Sequence, residues 1–213
     1  AVLAAWVYMF QMVAMSGVDW TGRPATTGMA GMNMAAGTVY NGLAVMWAIM
    51  MAAMMLPTIV PTLRAYDDLI RSANGTRSGW VGVLAGYFAV WVGFALGIAA
   101  LQIGLMRAGV LDHLGTSVSL WMTAALLIGV GAFQFTRMKE ICHGVCHSPM
   151  GYYLGHWRAG TVGGFRMGLG LGAYCVGCCW GFMALGFVGG VMSLLWMGLA
   201  TLFMVFEKLP QIG

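Results

Sequence analysis

Long apolar runs alternate with short polar segments along the whole chain. About 20 mostly apolar residues are enough to cross a bilayer as a helix, and proline, glycine and charge clusters divide this sequence into six such runs. The pattern therefore predicts an all-α, polytopic integral membrane protein in which residues 1–213 form a single transmembrane helical domain. We place the spans near residues 1–16, 39–62, 80–106, 118–136, 167–188 and 190–206.

The first span is the shortest of the six. It begins without an initiator methionine, so we expect a few residues to precede it. Its length also suits the apolar core of a signal peptide, but no small-x-small cleavage site leading into a soluble domain is apparent after it. We therefore interpret it as a membrane helix.

Lysine and arginine are distributed unevenly between alternate loops. Cytoplasmic loops of membrane proteins carry an excess of both residues, and placing the N-terminus in the cytoplasm puts eight of them inside and two outside. This bias predicts an N-in/C-in topology with residues 17–38 outside. The inner set is Arg64, Arg71, Arg77, Arg137, Lys139, Arg158, Arg166 and Lys208, and the outer pair is Arg23 and Arg107.

Composition narrows the function classes. Hydrophobic residues make up 61% of the chain and charged residues only 8%, whereas a soluble domain carries about 25% charged residues. We therefore expect no large soluble domain, and the lipid bilayer is the predicted environment. The net charge of +4 is small and scattered, which argues against a nucleic-acid partner. No nucleotide-binding loop, zinc-protease motif or carboxylate pair is present, so we predict neither an enzyme nor a nucleotide cofactor.

Methionine is unusually abundant, with 20 residues. Three of them, Met29, Met32 and Met34, lie in the glycine-rich outer segment 28–34, where no apolar face exists for them to pack. Thioethers are soft ligands that bind Cu(I) without losing a proton. We interpret this segment as a metal-capturing loop, with an interfacial segment as the alternative.

A second methionine pattern lies in the second span. Met46, Met50 and Met54 recur every four residues and so share one helix face, similar to the Met-x-x-x-Met element of Ctr-type copper transporters. A parallel row, Met51 and Met55, suits packing against neighbouring helices equally well. The prolines at 57 and 61 are expected to end or kink this helix at its cytoplasmic side.

The fifth span carries three of the five cysteines. Cys175, Cys178 and Cys179 fall within roughly a third of the helix circumference, and Met183 joins that face one turn further on. Glycines share the same face and let another backbone approach closely, so it should turn toward other helices. Buried cysteine is often only a small hydrophobe, but three on one arc indicate a soft-metal or redox site.

The other two cysteines lie in the predicted inner loop, residues 137–166. If this segment is helical, Cys142 and Cys146 share one face, with His143 and His147 on the adjacent face. Zinc is the weaker candidate because closed zinc sites usually draw ligand pairs from separate elements. No haem is expected because c-type attachment needs two residues between the cysteines, not three.

The two cysteine groups are predicted to lie at different depths. Cys175 falls roughly nine residues into the fifth helix, which is ~13 Å below the inner surface. The groups can form one site only if the inner loop folds back into the bundle; otherwise they are successive stations.

Several of these motifs together resemble the bacterial domain-of-unknown-function family 2182, described as predicted metal-binding integral membrane proteins. The resemblance covers nearly the whole chain and implies a location in the bacterial inner membrane. It carries over the five cysteines, whereas His143 and His147 depart from the family pattern. It rests on Met46-Trp-Ala-Ile-Met-Met-Ala-Ala-Met-Met-Leu-Pro57, Met138-Lys-Glu-Ile-Cys-His-Gly-Val-Cys-His-Ser-Pro149, Arg166-Met-Gly, Tyr174-Cys-Val-Gly-Cys-Cys-Trp180, Phe187-Val-Gly-Gly-Val-Met192 and Glu207-Lys-Leu209.

The leading hypothesis is a protein that binds a soft metal, Cu(I) above all, for transport or delivery. The outer methionines capture the ion, the ladder relays it and the cysteines receive it, with His143, His147 and Met183 as additional candidate ligands. One alternative is a non-catalytic accessory subunit of a larger membrane complex, such as a copper-dependent oxygenase or oxidase, or a homo-oligomer. Another is a thiol oxidoreductase that uses Cys178 and Cys179 or Cys142 and Cys146. Cys175 and Cys178 have the Cys-x-x-Cys spacing but do not lie at the start of a soluble helix.

Overall fold

The computed structural model of the protein describes residues 2–15, 19–22, 36–72, 76–112, 115–191 and 193–208. This part of the chain is all-α, as predicted. An isolated bridge between Leu111 and Ser117 is its only β pairing. Its helices are α1 (Val2–Met15), α2 (Ala36–Ser72), α3 (Arg77–Arg107), α4 (Leu120–Phe133), α5 (Arg137–His147), α6 (Pro149–His156), α7 (Gly160–Ala184), α8 (Gly186–Gly189) and α9 (Leu194–Lys208).

Three of the described helical segments are long and apolar enough to cross a membrane: Val39–Ile70, Arg77–Arg107 and Gly160–Gly189. The bent pair α4 and α5 is a fourth if it counts as one span. The remaining apolar helices, Leu3–Met15 and Leu194–Glu207, are shorter, and a helix of 15 residues reaches only ~22 Å. These helices are those of a membrane protein. The six-span count and the N-in/C-in topology stay predictions.

The sequence predicts that Pro57 and Pro61 end or kink α2, and of these two outcomes the end is wrong, because the helix passes through both prolines. Pro57 and Pro61 lie inside the helix, which continues to Ser72. Side chains supply hydrogen bonds to carbonyl groups in this stretch. Thr58 Oγ1 donates to the Met55 carbonyl at 2.9 Å, and Tyr153 donates to the Thr62 carbonyl at 3.3 Å. These bonds tie α2 to its own turn and to Tyr153, whereas the carbonyls that the prolines leave without an N–H partner are those of Ala53 and Pro57.

The α3–α7 pair forms the centre of the bundle through glycine contacts. A Cβ atom at Gly82 would overlap the Thr161 carbonyl, and one at Gly168 would overlap the Val83 carbonyl. The helices run parallel, because residues progressively later in α3 meet residues progressively later in α7. Backbones this close can be reached only by residues without a side chain, and this contact fixes the position of the α7 cysteines.

Helix α4 lies within the predicted fourth span, residues 118–136, and ends near the C-terminal end of α7. Phe133, at the end of α4, packs on Trp180 with ring centroids 5.1 Å apart, and Val130 lies against Gly181. The chain then bends by 65° into α5. The predicted inner loop, residues 137–166, is helical over α5, α6 and the first residues of α7. Helix α5 folds back against α7.

Helix α6, which follows α5, packs against α2. Tyr153 is fully buried and contacts Tyr66 with ring centroids 5.6 Å apart. Burial raises the pKa of Tyr153, and the neighbouring Tyr66 and Tyr152 phenols raise it further. Its hydroxyl therefore remains protonated and keeps donating to the Thr62 carbonyl of α2. Helix α5 thus lies between the contact of α4 with α7 and the contact of α6 with α2.

The opposite end of the bundle brings α1, α2 and α9 together. The backbone N–H of Leu195 donates to the Trp20 carbonyl at 3.2 Å, which ties the start of α9 to the segment after α1. Trp47 of α2 is fully buried and its Nε1 donates to Gln102 Oε1 at 2.7 Å. This end of the bundle contains most of the buried methionines described below.

Candidate metal centre

Helix α7 presents its three cysteines to the interior, as the sequence predicts. Cys175, Cys178 and Cys179 are each at most 2% exposed, and Met183 is buried one turn further on. Cys178 is bonded most closely to its own helix, since its Sγ donates to the Cys175 carbonyl at 3.2 Å. The glycine contacts with α3 leave no freedom for this face to rotate toward lipid.

Helix α5 adds a fourth cysteine to this face. The Sγ atoms of Cys146 and Cys178 are 3.7 Å apart, and those of Cys146, Cys175 and Cys178 all lie within 4.8 Å of one another. The expectation that the loop and helix cysteines occupy different depths is therefore wrong for Cys146. The fold-back of α5 onto α7 joins residues 29 or more positions apart into one group, here called the cysteine triad.

A glycine on α7 permits this approach. A Cβ atom at Gly177 would lie 2.8 Å from Cys142 Sγ, closer than real Cβ atoms come to sulfur. Cys142 therefore works as a spacer that lies flat on α7 while Cys146, one turn later, reaches the triad. Both cysteines share one face of a helix, as predicted.

The remaining cysteine of α7 adjoins the triad. Cys179 Sγ lies 3.2 Å from Cys178 Sγ. No disulfide links any of the five cysteines, all of which lie in described segments. The group is thus a set of thiols that a soft ion can bridge.

Polar partners surround the triad on its α2–α3 side. Tyr87 of α3 is buried, and its hydroxyl lies 3.0 Å from Cys175 Sγ and 3.5 Å from Thr58 Oγ1. Thr58 in turn contacts the Met55 thioether at 3.7 Å. When Cys175 carries a negative charge its sulfur can only accept, so the Tyr87 hydroxyl becomes the donor.

A buried ion pair lies on the other side of the triad. Lys139 of α5 is 6% exposed, and its Nζ donates to the Cys178 carbonyl at 3.0 Å and to Glu207 Oε2 at 3.2 Å. The pair tethers α5 to both α7 and α9. It borders a cavity of about 640 Å³ that is large enough to hold many waters. Lys139 was predicted as a cytoplasmic loop charge, and the break after α4 explains why it is buried instead.

The two candidate histidines stand outside the triad. His143 and His147 stack with ring centroids 5.8 Å apart on α5, which is the adjacent face that the sequence predicts. His143 borders the same cavity as Lys139 and Glu207. Neither belongs to the group of mutually close ligand atoms.

The candidate methionines fall into two sets. Met46, Met50 and Met54 are buried, and the side chains of Met50, Met54 and Met183 border one small void. This places the predicted ladder inside the bundle, at the α7 end beyond the cysteines. Met29, Met32 and Met34 lie outside the described residues.

The donor set of the triad suits a soft monovalent ion. Three sulfur atoms from two helices match the preference of Cu(I) for thiolate ligands. A structural zinc site normally requires four ligands in a tetrahedron. Within the described residues only these three cysteines form a group of His, Cys, Asp or Glu ligand atoms of this kind.

The sequence of residues 44–213 matches the model of the PpoB2 family, described as a copper chaperone. The chain belongs to this copper-chaperone family. The match agrees with a metal-binding membrane family but does not bear the name of the family that the sequence motifs resemble. No curated protein and no solved structure matches the chain. Copper is accordingly the metal that the family points to.

Sequence reasoning missed two residues beside the triad. Glycines at 79, 82 and 86 predict a helix face that meets another helix. Tyr87 follows Gly86, so its position next to that face could have indicated that it lies in the helix interface. Lys139 gave no such signal, because it lies among the basic residues of the predicted inner loop. It is buried only because α5 packs against α7.

Proposed function

We propose that this membrane protein binds Cu(I) at Cys146, Cys175 and Cys178 and delivers it to an acceptor. The observation that carries the proposal is the convergence of three cysteine sulfurs from two helices within 4.8 Å. Membership in a copper-chaperone family supports the choice of ion. Cu(I) is here the cargo, held by the chain rather than used by it.

Binding and release follow from the chemistry of the ligands. A cysteine that coordinates Cu(I) as a thiolate releases its thiol proton to the solvent, and the first proton released balances the charge of the ion. Cys146 is the partly exposed member of the triad, whereas Cys175 and Cys178 are buried. An acceptor ligand therefore approaches on the Cys146 side, and the ion leaves by exchanging one sulfur at a time.

The methionines supply the approach to the triad in this proposal. The outer loop methionines capture the ion, and Met46, Met50 and Met54 pass it along α2. Thioethers are neutral and bind Cu(I) less strongly than thiolates do, so the gradient of affinity draws the ion toward the cysteines. In the predicted topology this movement is inward.

Copper content of the purified protein tests the proposal. Wild type and the Cys146→Ser/Cys175→Ser/Cys178→Ser variant are loaded anaerobically with Cu(I), and bound copper is measured by elemental analysis and X-ray absorption. We expect cysteine-bound Cu(I) in wild type and its loss in the variant. Cys142→Ser is the matched control, because serine keeps the Cβ atom and nearly the size of the Cys142 spacer, and Cys142 lies outside the triad.

Two results would overturn the proposal. Undiminished cysteine-type coordination in the triple variant would exclude the triad. Loss of copper with Cys142→Ser, but not with the triad substitutions, would move the site from the triad to Cys142. Chains that co-purify in the same samples would identify the acceptor.

A further inference from the structure

A second cluster of soft ligands lies at the end of the bundle where α1, α2 and α9 meet. It surrounds a small void, here called the methionine chamber. A neighbouring void, which Met54 and Met183 border, shares Met50 and Met197 with the chamber. The lining of the chamber among the described residues is Met9, Met12, Val13, Met46, Met50, Val191 and Met197.

Three helices contribute the five thioethers. Met9 and Met12 are three residues apart on α1, and Met46 and Met50 are four apart on α2, spacings that bring side chains together on one helix face. Met197 of α9 completes the set. Met9, Met46, Met50 and Met197 are each at most 6% exposed, so lipid does not compete for them.

The chamber suits a soft ion better than water. Its void of about 10 Å³ has room for roughly one atom. The described lining consists only of methionine and valine side chains, so a water there would lack the two to four hydrogen-bond partners that buried water requires. Thioethers are soft, uncharged ligands that take Cu(I) with no proton to release.

We propose that the methionine chamber is a second Cu(I) site, built from thioethers of α1, α2 and α9. The inference rests on the proposed function, because it assumes that copper enters the protein. It goes beyond the relay along α2 by assigning a holding site to Met9, Met12 and Met197. Met9 and Met12 precede residue 44, where the match to the family begins.

The chamber is weaker than the triad for an electrostatic reason. Neutral thioethers leave the positive charge of Cu(I) uncompensated in an apolar interior, whereas a single thiolate is enough to neutralise it. The chamber and the triad lie on one route, because Met183 borders the adjoining void and lies one helical turn from Cys179. The chamber therefore loads the triad and does not drain it.

The test counts Cu(I) per chain in detergent-solubilised full-length protein, using a chromogenic Cu(I) chelator as competitor under anaerobic conditions. We expect two ions in wild type, and one ion with thioether-only coordination in the Cys146→Ser/Cys175→Ser/Cys178→Ser variant. Adding Met9→Leu/Met197→Leu should weaken that remaining ion at least about tenfold, since even outer partners of a metal ligand contribute that much. Leucine keeps the volume and removes the sulfur.

Met167→Leu/Met204→Leu is the matched control, because both residues are at most 2% exposed and neither borders the chamber. Retention of the remaining ion at full affinity after Met9→Leu/Met197→Leu would overturn the inference. A single ion in wild type that disappears with the triad cysteines would overturn the chamber and leave the triad intact. A single ion that survives in the triad variant and disappears with Met9→Leu/Met197→Leu would overturn the triad and leave the chamber intact.

The same comparison in the wild-type background guards against a misfolded triad variant. There Met9→Leu/Met197→Leu should weaken one of the two ions at least about tenfold and leave the other unchanged. Two ions bound at unchanged affinity would overturn the inference, and so would a single ion with cysteine-only coordination in wild type.

Discussion

The two sulfur regions of this protein are built in opposite ways. The cysteine triad depends on one close contact, at which α5 lies against Gly177 and Cys146 reaches Cys178. The methionine chamber is made by flexible side chains from three helices around a small void. Methionine adapts to irregular gaps, whereas the cysteine side chain has a single rotatable bond to its sulfur. Thiol geometry is therefore fixed by the backbone, and thioether geometry by packing.

The largest expected contrast between the regions is in pH dependence. Lowering the pH should weaken Cu(I) binding to the triad by about tenfold per pH unit for each thiol proton released. Protons compete with the ion for thiolates, so the affinity falls as the pH falls. The chamber has no protons to release, and its affinity should stay constant. Chelator competition between pH 5 and pH 8, on wild type and on the triad serine variant, measures both.

The serine variant is the control in that titration. Parallel pH profiles for the two proteins would show that the regions do not differ in ligand chemistry. A flat profile for wild type would contradict thiol coordination at the triad.

The next effect concerns the contact that holds the triad together. Gly177→Ala places a Cβ against Cys142 Sγ, and overpacking of this kind costs about 1–3 kcal/mol. If α5 moves outward to relieve it, Cys146 leaves Cys178. Cu(I) affinity at the triad should then drop roughly fivefold to 150-fold, which is the same free energy expressed as an equilibrium constant. Chelator competition at neutral pH measures the loss, and the chamber should be unaffected.

A second substitution distinguishes a clash from other causes. Cys142→Ala removes the sulfur that the new Cβ meets, so the Cys142→Ala/Gly177→Ala pair should regain wild-type affinity. Gly144→Ala is the control on α5, because a Cβ there meets nothing within 4 Å. Failure of the pair to recover would mean that Gly177 acts through something other than spacing.

The two regions also differ in how far the sequence predicted them. Helical periodicity along one span was enough to place Cys175, Cys178 and Met183 on one buried face, and the α2 methionines on another. Cys146 joins the triad only through the packing of α5 on α7. Periodicity within each segment does not predict such a tertiary contact between two helices. For the same reason Lys139 looked like a loop charge. The predicted end of α2 near Pro57 and Pro61 is wrong because one helix continues through both prolines to Ser72.

Helix α9 connects the regions, since it carries Met197 of the chamber and Glu207, the partner of Lys139. Glu207→Gln removes the negative charge that compensates a buried ammonium. Leaving such a group partly uncompensated costs about 1–3 kcal/mol, so the variant should unfold at a lower temperature in detergent. Thermal unfolding of the purified protein measures the change, and copper loading shows whether one region or both are disturbed.

Glu140→Gln is the matched control, because Glu140 lies on the same helix as Lys139 and is exposed. Equal losses of stability in the two variants would show that the ion pair has no special role. Loss of chamber binding together with triad binding in Glu207→Gln would show that α9 couples the regions.

The smallest effect tests a single hydrogen bond to the triad. Tyr87→Phe removes the hydroxyl that lies 3.0 Å from Cys175 Sγ. In the thiol state either atom can donate, but once Cys175 binds Cu(I) as a thiolate only the phenol can. Hydrogen bonds between membrane helices contribute about 0.6 kcal/mol on average, and a charged acceptor roughly doubles that. Cu(I) affinity at the triad should therefore fall about threefold to tenfold. Tyr40→Phe is the control, because its hydroxyl donates to the Leu96 carbonyl instead, and an equal loss there would remove the assignment of Tyr87 to the triad.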